Sequence, residues 1–82
     1  MIILLWKDGF GEIKQYRCPE YGWTFPSVEA AEKAAKQLVN GGALTAEVWQ
    51  KPDDPDEPTM QPEGTLLRQF ERNAKGKATQ RR

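Results

Sequence analysis

The side chains that could do chemistry in this chain are few. Its 82 residues include no histidine and one cysteine, Cys18. Histidine is the commonest general base and a frequent metal ligand, and a thiol needs a neighbouring base or cation before it becomes a reactive thiolate. With no imidazole to activate it and Pro19 directly behind it, Cys18 reads as a structural thiol. No nucleophile-elbow, phosphate-loop or zinc-ligand spacing occurs. We therefore assign no catalytic residue, cofactor or metal ligand, and expect a protein that is not an enzyme.

Two other groups invite a chemical reading. Asp53, Asp54, Asp56 and Glu57 offer enough carboxylates for calcium, but Pro55 interrupts them and the EF-hand order with its central glycine is missing. A solvated acidic stretch is the simpler account. Tyr16, Arg17, Tyr21 and Trp23, together with Arg68 and Arg72, combine stacking faces with cations. Such a set can hold single-stranded nucleic acid or a nucleotide. Gly9-Phe10-Gly11, followed by Ile13 and Tyr16, resembles part of the RNA-recognition signature. Glu12 and Gln15 stand where that signature would place aromatics, so a plain hairpin turn is the better reading.

Charge is sorted along the chain although the net charge is zero. Up to Lys51, Lys7, Lys14, Arg17, Lys33, Lys36 and Lys51 offset Asp8, Glu12, Glu20, Glu29, Glu32 and Glu47. Residues 52–63 carry only acids, and beyond Gly64 six cations face Glu71 alone. A basic end can attract polyanions or fold back on the acidic stretch.

These residues must be positioned by a small number of elements. Met1 to Trp6 is apolar throughout, the pattern of a strand buried on both faces, and we expect it to be the central strand. It is far shorter than the ~20 apolar residues that cross a bilayer, and no basic residue precedes it as in a signal peptide. A single cysteine gives no sign of an oxidising compartment, so a cytoplasmic protein without membrane contact is expected. Lys7 to Gly11 supplies a turn, and a second strand follows over 12–18.

Ser27 has the side chain of a helix N-cap, and Val28, Ala31, Ala35 and Leu38 recur at helical spacing up to Asn40. Glu29–Lys33 and Glu32–Lys36 stand four apart on the wet side, and Gly41-Gly42 end the helix. Residues 44–51 alternate as a half-buried strand. Pro52, Pro55, Pro58 and Pro62 prevent regular structure in the next stretch. The expected fold is α+β, ββαβ(β), with one helix on a small antiparallel sheet. A core spans 1–51, an acidic proline-rich linker 52–64, a fourth strand or short amphipathic helix 65–74 with the strand preferred, and a mobile basic tail 75–82.

One helix covers only one sheet face. Ile3 and Leu5 point away from Ile2, Leu4 and Trp6, and Trp49 points away from Ala46 and Val48. The second face is therefore expected to be aromatic and to be covered by a second copy, by residues 65–74 or by a target protein. A short chain without disulfide or metal often relies on a partner. The contact surface is placed around Trp6 and Trp49 or on the loop from Tyr21 to Phe25.

The apolar opening strand, the single Ser-Val-Glu-Ala-Ala-Glu helix between strands and the charged tail make the chain resemble small bacteriophage or prophage accessory proteins. That resemblance implies a phage-encoded, anti-CRISPR-like inhibitor that occupies the surface of a host or defence protein. The other expectation is a small nucleic-acid- or nucleotide-binding protein that uses the aromatics and the basic tail.

Overall fold

The computed structural model describes residues 1–51 and 64–82. The acidic linker expected over 52–64 thus lies, apart from Gly64, outside the described residues. The chain folds as one α-helix packed on a five-stranded antiparallel sheet. The strands are β1 (Ile2–Lys7), β2 (Ile13–Gln15), β3 (Thr45–Gln50), β4 (Thr65–Arg72) and β5 (Ala78–Gln80), with α1 (Val28–Asn40) between β2 and β3. Their spatial order is β2-β1-β3-β4-β5. The middle strand is therefore β3 and not β1, because two further strands add beyond β3 after residue 64.

The choice of a strand for 65–74 holds for Thr65–Arg72, but that strand joins the sheet instead of covering it. The end of the chain is also not the free tail expected, since Ala78–Gln80 pairs with β4. A turn makes this possible. Asn73 Oδ1 accepts the Lys75 and Lys77 amides, the Asn73 amide donates to the Lys77 carbonyl, and Gly76 takes φ 79°. The β1–β2 turn is built identically. Asp8 Oδ1 accepts the Phe10 and Glu12 amides, the Asp8 amide donates to the Glu12 carbonyl, and Gly11 takes φ 87°. In each, an Asx side chain stands in for a backbone acceptor and a glycine three residues on absorbs the left-handed conformation.

In the first turn the charge of the Asp8 carboxylate matters. The Glu12 amide donated to it, followed by the Phe10 amide and Lys14 at 3.4 Å, holds Asp8 below the usual carboxylate range against the opposing effect of its partial burial. A lowered folded-state value means that this stabilisation is complete above the unfolded value of about 3.9 and is lost as pH falls through the folded one. Asp8→Asn keeps the acceptor oxygen but not the charge. Its stability, read from urea midpoints, should fall below the parent's at pH 7, where the carboxylate is charged, and the two should converge as pH drops below about 4. An acid limb as steep as the parent's would show that Asp8 is not the titrating group.

Helix α1 begins where Ser27, in extended backbone, accepts the Ala30 amide at 3.2 Å, a cap of the kind that contributes about 1 kcal/mol. Its inward stripe is Ala31, Ala34, Ala35 and Val39. With Leu4, Phe25, Ala46, Val48 and Phe70 these residues form one core between helix and sheet. The ladder fixes which side chains reach it. Leu4 faces Val48, Trp6 faces Ala46 and Ala46 faces Phe70, so all of these point toward α1. A register shift in β4 between the partners of Val48 and Trp49 lets Leu67 pack on the core as well. Glu32 does not pair with Lys36 as expected. It accepts a hydrogen bond from Arg68 Nε and ties α1 to β4, while Lys36 Nζ lies 5.8 Å from the centre of the Phe70 ring.

Candidate functional site

The residues singled out from the sequence fall on three parts of the fold. Trp6 and Trp49 do not share a face. Trp6 lies opposite Ala46 on the helix side, half-buried, with Lys14 Nζ 5.7 Å from its ring centre. Trp49 lies opposite Ile3 on the other side of the sheet. The expected contact surface centred on both tryptophans is thus divided, because pleating sends Trp6 and Ile3 to opposite faces of one strand.

On the helix side, Tyr16 and Tyr21 converge on Phe25, the last residue of the loop expected to make contact. The Tyr16 ring stacks on Phe25 at 6.4 Å and 16°, and Tyr21 leans on Phe25 at 5.9 Å and 59°. Phe25 is buried and its amide donates to the Ile2 carbonyl at 2.8 Å, so the aromatic loop is fastened to the edge of β1. Cys18 and Gly22 exchange two backbone hydrogen bonds of 2.7 Å, which close the intervening chain into a tight loop. The geometry preorganises Tyr21. Trp23, next along, is 53% exposed, and its carbonyl accepts from the Gln15 side chain. Arg17 is exposed.

Two shallow depressions run along the seam between α1 and this edge. One, of about 360 Å³, lies among Tyr16, Cys18, Tyr21, Phe25 and Lys33. The other, of about 420 Å³, lies among Trp6, Asp8, Leu38 and Ala43, and both share Tyr16, Ala34 and Gln37. Among the described residues no group of three His, Cys, Asp or Glu side chains could hold a metal ion. Cys18 lines the first depression together with Tyr16, Tyr21 and Phe25 and with the charged Glu20 and Lys33.

On the face turned away from α1, Ile3 is buried and Leu5, Trp49 and Leu66 are half-buried. Lys51 Nζ lies 5.9 Å from the Trp49 ring centre, and the Trp49 indole nitrogen finds no hydrogen-bond partner among the described residues. Of the three arginines singled out from the sequence, Arg68 and Arg72 lie on β4. Arg68 is engaged with Glu32 and with the Leu67 carbonyl. Arg72 is exposed at the strand's end, where its guanidinium packs over Gly76.

Comparison with known protein families, curated protein sequences and solved structures returns no match. Exposed apolar side chains gather in one stretch of the chain, around β2 and the loop that follows it. Among the described residues six large hydrophobic side chains are exposed, and four of them, Phe10, Ile13, Tyr21 and Trp23, fall within residues 10–23. Sequence reading took Tyr21 and Trp23 but missed Phe10, 96% exposed, and Ile13, 66% exposed. Each was read as part of a turn or a strand, and only the edge position of β2 leaves them bare.

Proposed function

We propose that the chain is a noncatalytic interaction module that acts by covering part of another protein's surface. In the reading that its phage-like character suggests, it is an anti-CRISPR-like inhibitor of a cytoplasmic host or defence protein. The observation that supports contact over chemistry is the fastened loop that holds Tyr21 beside the groove along α1 and leaves Trp23 exposed. Aromatics held rigid before binding lose little entropy on contact, and buried Trp and Tyr dominate the energetics of most interfaces. No helix of the described residues is long and apolar enough to cross a membrane.

Affinity capture by the tagged full-length protein from a bacterial lysate tests this reading, with Trp23→Ala run in parallel at low and high salt. The expected result is a stoichiometric protein retained in high salt by the parent and reduced at least tenfold by the substitution, about 1.4 kcal/mol or more. Equal retention by parent and variant would remove the loop from the interface.

One observation favours a second reading, nucleic-acid binding. Of the cations beyond Gly64, Arg68 pairs with Glu32 and Arg81 with Glu71, whereas Arg72, Lys75 and Lys77 surround the hydrogen-bonded β4–β5 turn without an ion-pair partner among the described residues. Three phosphate contacts give a log–log salt slope of roughly −2 to −3. In the same capture, nucleic acid released by salt from the parent but not retained by Lys75→Ala/Lys77→Ala would make this turn the functional part.

A further inference from the structure

We infer that the β2 edge is a two-fold contact between copies of this chain, so that the sheet continues from one copy into the next. The inference is independent of the docking loop and concerns Glu12, Ile13 and Lys14. β2 is the outermost strand on its side of the sheet. The Tyr16 amide donates to the Leu4 carbonyl at 2.8 Å, and Lys14 faces Trp6. Because ladder bonding alternates along an antiparallel strand, Lys14 and Tyr16 turn their backbone groups toward β1, while Ile13 and Gln15 turn theirs outward.

An open edge of this kind is a template for another strand, and its side chains decide which strand and in what register. Three antiparallel self-pairings suit the outward groups. Centred on Lys14, two like charges face each other, which is destabilising. Centred on Gln15, Glu12 faces Cys18 and finds no opposite charge. Centred on Ile13, Glu12 of each copy faces Lys14 of the other, twice over by symmetry, and Gly11 faces Gln15. The two Ile13 amides and carbonyls then bond reciprocally, and each Gln15 amide reaches the Gly11 carbonyl of the second copy.

Charge complementarity therefore selects one occupant and one register. The side chains are placed to use it. Glu12 is 73% exposed and Lys14 is 50% exposed in their side chains, with Lys14 lying over Trp6 on the helix face. Ile13 projects from the opposite face, across from Lys7, so its pairing covers a branched aliphatic side chain now largely in water. The same register carries Phe10 alongside residues 16 and 17 of the second copy. Lysine on an edge commonly repels chance strands. Here it admits a strand that presents glutamate at the matching position, and an isologous contact closes at two copies without growing into a fibre.

Sedimentation equilibrium of the full chain across micromolar to millimolar concentration tests the inference, with exchange protection of the Ile13 and Gln15 amides as the local readout. The parent should dimerise, with those two amides slowing as dimer forms. Glu12→Lys should weaken dimerisation at least tenfold, as should Lys14→Glu, and the double variant Glu12→Lys/Lys14→Glu should recover most of it. Circular dichroism at low concentration confirms that each variant is folded, and Glu12→Lys leaves the Asp8–Lys14 contact in place should Lys14→Glu not fold. A parent that stays monomeric at millimolar concentration overturns the proposal. So does a dimer indifferent to these folded charge variants.

Discussion

Phe70→Ala should remove about 3–5 kcal/mol of the fold's stability at 25 °C. Phe70 is fully buried on β4, faces Ala46 across the ladder and lies beneath α1, so it joins the helix, the middle strand and the last hairpin. Truncating a buried phenylalanine costs about 3–5 kcal/mol, because the surrounding groups relax only partly into the space. A domain of this length has a total stability of roughly 4–12 kcal/mol, at about 0.05–0.15 kcal/mol per residue. At the lower end of that range the truncation consumes the whole stability. Far-UV circular dichroism with urea unfolding reads the effect, and Phe70→Leu should recover more than half of it by refilling most of the volume. A cooperative transition weakened by less than about 1 kcal/mol would place Phe70 outside the core.

The opposite error, adding volume, should be nearly as damaging at Ala35. Leucine is a good helix former, so helix propensity alone predicts almost no change. But Ala31 and Ala35 are fully buried, and only a side chain as short as alanine allows α1 to lie this close to β3 and β4. Ala35→Leu must push the helix outward or force strained rotamers, at a cost of about 1–3 kcal/mol. The exposed neighbour Lys33 provides the contrast, since Lys33→Leu adds apolar area without meeting the sheet. A thermal midpoint raised by Ala35→Leu would mean that α1 stands off the sheet with room to spare.

Local signals carried the elements whose causes are local. Ser27, the alanine stripe and Gly41-Gly42 fixed α1, and period-two alternation fixed β3, because caps, glycines and side-chain parity act over a few residues. The β4–β5 hairpin was half legible. Asn73 and Gly76 repeat the spacing of Asp8 and Gly11, but the cations among them resemble a solvated tail, and β5 becomes a strand only because β4 is beside it. The fate of Glu32 was hidden for the same reason. Lys36 lies one turn away along the helix, whereas Arg68 is 36 positions distant and arrives through the fold.

Within the site, parity inside each strand could not place Trp6 relative to Trp49, because that needs the register between β1 and β3. The ladder that sets Trp6 against Ala46 and Ile3 against Trp49 shows that the two cannot form one surface. The sequence also held Tyr16, Tyr21 and Trp23, but not Phe25 as the ring that fastens them. A phenylalanine carries no mark of whether it will be anchor or exposed tip, and Phe10 and Phe25 exchange those roles only through tertiary placement.

Gln50 and Thr65 stand opposite each other in the β3–β4 ladder, so the backbone departs from the sheet and re-enters it at nearly one point. Adjacent antiparallel strands are ordinarily joined by about two to five residues, far fewer than this sequence spends between those two positions. Since the entropy of closing a loop grows only logarithmically with its length, even a doubling would cost roughly 0.6 kcal/mol. This makes the junction a permissive insertion point, where peptides or whole domains can be grafted while both strands keep their pairing.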